Sequence, residues 1–102
     1  MAVLYITEYR ELSKVEAGNR GTYIAPVPQE PPVTTQAVSF TTVTSSADFN
    51  AATNFVLIES DSNCHVIFGE TPSASTTSPL LTANNPQYRG VRGGRLSVVQ
   101  TA

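Results

Sequence analysis

"NFVLIESDSNCHVIFG", residues 54–69, is the stretch on which the fold class turns. Two apolar runs, rich in β-branched and aromatic side chains, are each too short for a helix and suit a well-buried pleated surface. Asp61, Ser62 and Asn63 lie between them, and such side chains satisfy local backbone groups in turns. The reading predicts strands over 54–60 and 64–69, joined as a β-hairpin.

The same stretch holds the only cysteine and the only histidine, adjacent at Cys64 and His65. A thiol and an imidazole make a nucleophile and base only at about 3 Å. Neighbours on a strand point to opposite faces, so Cys64 should share a face with Val66 and Phe68, and His65 with Ile67. Cys64 then reads as a small buried apolar residue and His65 as a half-exposed strand residue. One Cys and one His cannot complete a tetrahedral site. Glu59 and Asp61 flank a turn and read as a solvated tip. With 13 Thr and 10 Ser available, a triad drawn through His65 and Asp48 or Asp61 carries no information. No catalytic residue, metal ligand or cofactor is expected.

Working outward, "AVLYIT" (2–7) reads as a strand. Residues 7–18, "TEYRELSKVEAG", read as a short helix with Thr7 as N-cap, Glu8 and Glu11 in the first turn and Gly18 at C′. Tyr9, Leu12 and Val15 give it only a narrow apolar stripe, and an extended loop fits nearly as well. "QAVSFTTVT" (36–44) alternates, with Val38, Phe40 and Thr42 on one face. "SSADFNAAT" (45–53) suggests a capped helical turn, and 70–87 a long exposed loop. "YRGV" (88–91) and "RLSVVQ" (95–100) read as closing strands with a Gly93-Gly94 turn, where positive φ is needed.

Residues 25–34, "APVPQEPPVT", are different material. Pro26, Pro28, Pro31 and Pro32 fix φ and remove donors, which excludes the stretch from a sheet interior. As polyproline II, at about 3.1 Å per residue, it reaches roughly 30 Å. It either lies on its own domain or crosses to a neighbouring subunit. The overall expectation is an all-β protein: a compact β-sandwich or jelly-roll-like barrel of about six or seven short strands. Residues 1–35 would form an N-terminal strand and extended Pro-rich arm, and 36–102 the β-sandwich core.

At 102 residues the chain is one domain of 40% apolar composition and net charge −2, outside the disordered class. Eight acids and three bases leave residues 1–70 at −5, while three arginines put 71–102 at +3. Opposite-signed halves favour attraction to copies or to a patterned neighbour. Arg89, Arg92 and Arg95 recur around the diglycine turn as a candidate basic edge for an acidic partner surface. "RGVRGGRLS" (89–97) fits no phosphate-loop pattern. The acidic balance argues against nucleic acid as partner. The N-terminus lacks a basic leader, and no apolar run reaches the roughly 18 residues of a spanning helix, so no membrane association is expected.

"LYITEY" near the start, "FNAATNFVLIESDSNCHVIFGETPSAS" in the middle and "YRGVRGGRLSVV" at the end resemble the small proteins of tailed-bacteriophage structural modules, capsid decoration (cement) proteins among them. The resemblance covers most of the chain but not 25–34, and transfers no functional residue. It implies a small β-domain, homotrimeric, made in the host cytoplasm and bound to the major capsid protein on the outer shell. The alternatives are a head–tail joining or tail-associated virion β-domain and, further off, a small carbohydrate- or receptor-binding module. Pro26, Pro28, Pro31, Pro32, Arg89, Arg92 and Arg95 are the candidate partner contacts.

Overall fold

Alternation along the first strand sets the architecture. In β1 (Ala2–Tyr9) the side chains of Ala2, Leu4, Ile6 and Glu8 are buried on one face, while Tyr5 on the other is 53% exposed. The computed structural model describes residues 2–16 and 22–101, and the side chains of these apart from 14–16 and 22–26. Among them, β1 pairs antiparallel with β4 (Thr34–Phe40) on one side and β6 (Phe55–Ser60) on the other. Beyond β6 lies β9 (Gln87–Gly90), closing a sheet of order β4-β1-β6-β9. A second four-stranded sheet has the order β5 (Thr44–Ser45), β10 (Arg95–Gln100), β7 (Cys64–Gly69), β8 (Leu80–Leu81). Inward residues of both sheets form one apolar cluster that includes Leu4, Ile6, Phe40 and Ile58 from the first, and Cys64, Val66, Leu96 and Val98 from the second. The protein is all-β and sandwich-like, and neither sheet is closed as a barrel.

The hairpin expected at 54–69 is not formed. β6 and β7 lie in different sheets, so Asp61, Ser62 and Asn63 carry the chain across the core as an arch. Their polar groups are committed elsewhere. Asp61 Oδ1 accepts from Val3 N at 2.9 Å, Asn63 Oδ1 accepts from Ala83 N at 2.8 Å, and the Ser60 hydroxyl donates to Ser62 O at 2.7 Å. A hairpin and an arch share the same pattern of two apolar runs and a polar link; partners elsewhere in the chain decide between them.

Residues 8–16 form neither helix nor loop. β1 runs through Tyr9, and β2 (Leu12–Glu16) pairs with β3 (Thr22–Pro28) as a two-stranded ribbon; Gly18 lies outside the described residues. Pro26 and Pro28 are therefore inside a strand, contrary to the sequence expectation. The register explains the tolerance: it slips between Leu12↔Pro28 and Lys14↔Ile24, so Pro26 falls where the ladder is interrupted and Pro28 at the strand end. Residues 28–33 then fold back on their own domain. Gln29 N donates to Glu11 O at 2.9 Å and Val33 N to Glu8 O at 2.7 Å. β1 is an inner strand of its sheet, between β4 and β6. Overall extents of 55 × 25 × 21 Å and a radius of gyration of 15.2 Å exceed the roughly 13 Å of a spherical chain this long.

Two further expectations are met in part. Residues 45–53 form no helix but close on a single turn, in which Thr53 N donates to Asn50 O at 3.0 Å and Asn50 Oδ1 caps Ala52 N at 2.9 Å; Phe49 is buried. The 70–87 segment is mostly exposed, as expected, but it is fastened to the body: Ala74 N donates to the buried Ser97 hydroxyl at 2.9 Å, and Leu80–Leu81 pair with β7.

Candidate functional site

The two outer faces of the sandwich are treated differently. On the β7/β10 sheet, the segment around Ala74 covers Ser97, and His65 Nδ1 donates to Ser78 O at 2.8 Å. On the β1/β6 sheet the register sets Tyr5 beside Glu59, Thr7 beside Leu57, Leu57 beside Tyr88 and Tyr9 beside Phe55, all on the outer face. Tyr88 is 52% exposed and Leu57 half-buried. Phe55 stacks on Tyr9 at a centroid distance of 5.4 Å and meets Tyr88 edge-on at 6.0 Å. Each such ring pair adds about 0.5–1.5 kcal/mol beyond area burial.

Next to these rings a recess of ≈ 290 Å³ opens between the ribbon and the sheet edge. Leu12 and Pro28 form its ribbon wall, and Phe55, Tyr88, Arg89 and Gly90 its sheet side. It exists for a simple reason. Gly90 is the register partner of Phe55 and brings no side chain to cover it. Tyr9, stacked on Phe55, is nearly buried; its hydroxyl donates to Glu30 Oε1 at 3.1 Å. Burial, then the Glu30 hydrogen bond and charge, push the Tyr9 phenol above its ordinary value.

The candidate contacts separate on inspection. Pro28 lines this recess and Pro31 a second, more polar one with Arg10, Glu11 and Glu30; Pro32 is half-buried, and the Pro26 side chain is outside the described set. Arg89 belongs to one sheet and Arg95 to the other. Arg95 pairs with Asp48 of its own chain at 2.8 Å, which removes it from a free basic edge. Arg89 donates to Gln87 Oε1 and to Tyr88 O. Arg92 is exposed and makes no ion pair among the described residues. Cys64 and His65 diverge as the strand period requires. The thiol is fully buried among Val66 and Leu81 in the core, and burial raises its pKa; a hydrogen bond with Ser60 opposes this and the Asp61 charge adds to it.

Sequence reasoning missed Glu8. It is fully buried, and its Oε1 accepts from Asn50 N and from the Thr53 hydroxyl, both at 2.8 Å, while Oε2 accepts from Gln36 Nε2 at 3.0 Å. Three donors satisfy a carboxylate that would otherwise be costly in the interior. The signal was available: Glu8 continues the inward period of Ala2, Leu4 and Ile6. The outer face was equally within reach, since Tyr5, Tyr9, Phe55 and Leu57 occupy the alternate positions of two strands. No protein-family model, no curated protein and no solved structure matches the chain, so its own residues carry the reading.

Proposed function

We propose that this chain is a non-enzymatic structural protein of a phage virion, a decoration or cement protein that binds the outer surface of the major capsid shell and stabilises it. The observation that carries the reading is the exposed aromatic face of the first sheet. The 70–79 segment covers part of the other outer face, leaving Ile67 and Leu80 exposed, whereas this one presents Tyr5 and Tyr88, each more than half exposed, beside the half-buried Leu57. A bare aromatic sheet face beside a ribbon is suited to adhesion, because aromatic side chains bring large contact area at small entropic cost. The sequence resemblance to phage structural-module proteins supplies the partner class.

In this reading the β2–β3 ribbon takes the place of the extended arm and reaches a neighbouring subunit while the sheet face seats on the shell. A homotrimer multiplies weak individual contacts through effective concentration. The test compares phage particles assembled with and without the chain. Antibody label over the capsid faces, with shells that rupture at lower temperature in its absence, supports the reading. Label confined to the tail vertex transfers it to head–tail joining, and unlabelled particles of unchanged heat resistance end it. Light scattering of the purified chain checks the trimer: a monomer at all concentrations removes that part.

A further inference from the structure

The open edge of β9 combines three features found together nowhere else on the described surface. The first is a row of unpaired backbone groups. Val91 N donates to Asn54 O at 2.9 Å, and hydrogen-bonded pairs alternate along an antiparallel ladder. With Phe55 opposite Gly90 and Val56 opposite Arg89, the bonded pairs are Val56/Arg89 and Ile58/Gln87. Tyr88 and Gly90 therefore turn their N–H and C=O outward, where no strand follows. Of these groups only Tyr88 O has a partner among the described residues, the guanidinium of Arg89 at 3.1 Å.

The second feature is the recess beside that edge. Nothing lies within 4 Å of where a Cβ on Gly90 would stand, and the apolar wall of Leu12, Pro28 and Phe55 surrounds the vacancy. The third is charge. β9 and the loop after it carry Arg89 and Arg92, and residues 71–102 contain no acid. The opposite edge strand, β4, differs: its Gln36 is already engaged, bonding both N and O of Ala47.

We propose that β9 is the acceptor edge for an extended segment of a protein partner, added as a fifth strand to this sheet. The segment places a bulky apolar side chain opposite Gly90, over Phe55, and carboxylates toward Arg89 and Arg92. Main-chain hydrogen bonds to Tyr88 and Gly90 supply affinity, and the recess with its charge supplies selectivity. The inference names a contact surface for the proposed shell-binding role but does not depend on the partner being a capsid.

The test uses the full chain and a capped seven-residue peptide of threonine and valine with a central leucine and a glutamate next to it on each side, which puts the carboxylates on the face of Arg89. On titration, the Tyr88 and Gly90 amides shift in ¹H–¹⁵N spectra and gain protection from exchange. A peptide with lysine in place of glutamate binds at least tenfold more weakly, and N-methylation of the leucine amide abolishes binding. Gly90→Leu fills the recess without strain, because Gly90 is not among the positive-φ residues; its spectrum stays folded while peptide affinity falls at least tenfold. No shift at Tyr88 and Gly90 at millimolar peptide, or equal affinity in Gly90→Leu, overturns the proposal. Protection of these amides that rises with protein concentration and without peptide overturns it in favour of a second copy as occupant. Particles that carry the chain on the shell while the peptide fails would sink this edge and leave the shell reading standing.

Discussion

Glu8 Oε1 and the Thr53 hydroxyl meet at 2.8 Å across 45 residues of chain, deep at one end of the sandwich. The contact locks the 46–54 connection onto β1. Replacing Glu8 by Ala strands three donors, and the expected loss is about 3 kcal/mol. Thr53→Val removes one donor and costs about 1 kcal/mol. Urea unfolding followed by tyrosine fluorescence measures both as a lowered midpoint at unchanged slope. An unshifted midpoint in Glu8→Ala would show that the network contributes nothing.

Gly93 and Gly94 both have positive φ, +71° and +77°, yet they should respond differently to alanine. A Cβ on Gly93 meets open space, whereas one on Gly94 overlaps the Gly69 carbonyl, whose carbon lies 2.9 Å away. Gly93→Ala carries only left-handed strain of about 1 kcal/mol. Gly94→Ala adds the displacement of β7 and should cost about 3 kcal/mol in total. Thermal melts of the two variants test the order; equal melting temperatures contradict the close approach.

Cys64 and Tyr9 set the alkaline limit. Both hold their protons more tightly when folded, chiefly through burial. A group whose folded pKa is raised contributes stability that is complete below its unfolded value and disappears as pH climbs through the folded one. Stability should therefore be flat with respect to these two groups at neutral pH and decline above the unfolded thiol value of 9.0 and then the phenol value of 10.0. Denaturant midpoints across that range check the sign, and Cys64→Ala should shallow the first part of the decline. The same burial makes the thiol inert, so a disulfide reagent at pH 8 should label it only after urea is added.

The aromatic trio predicts a split between ring and hydroxyl. Tyr9→Phe keeps the stack on Phe55 but loses the bond to Glu30, and should cost about 1 kcal/mol while loosening 28–33, seen as faster exchange at the Gln29 amide. Phe55→Ala removes the shared ring of both pairs and should cost about 3 kcal/mol. If the two substitutions matched in stability, the stacking would be incidental.

Side-chain period was legible in the sequence, and partnership was not. Alternation puts Val38, Phe40 and Thr42 on one face and Cys64, Val66 and Phe68 on another; Val38, Phe40, Cys64 and Val66 are buried, while Phe68 is half-buried and Thr42, past the end of β4, is exposed. Period two names a face without naming a neighbour, which is why 54–69 reads as a hairpin and folds as an arch. β2 and β3 escaped because Glu, Lys and Pro are poor strand formers in isolation, while a two-stranded ribbon with an interrupted ladder accommodates them. Of the candidate contacts, the prolines could be singled out by composition. The recess could not: it arises from the pairing of Gly90 with Phe55, 35 residues apart in the chain.

The arch at Asp61–Asn63 also bears on synthesis. Neither four-stranded layer can be completed by consecutive segments. The first needs β9, and the second hangs on β10, which ends at Gln100 and sits between β5 and β7. Until β10 is made, β7 lacks the strand that joins it to β5, and its apolar side stays wet. Assembly of the second layer therefore waits for β10, at the modest speed expected of distant strand pairings, and substitutions that weaken β10 should harm yield more than substitutions in the ribbon.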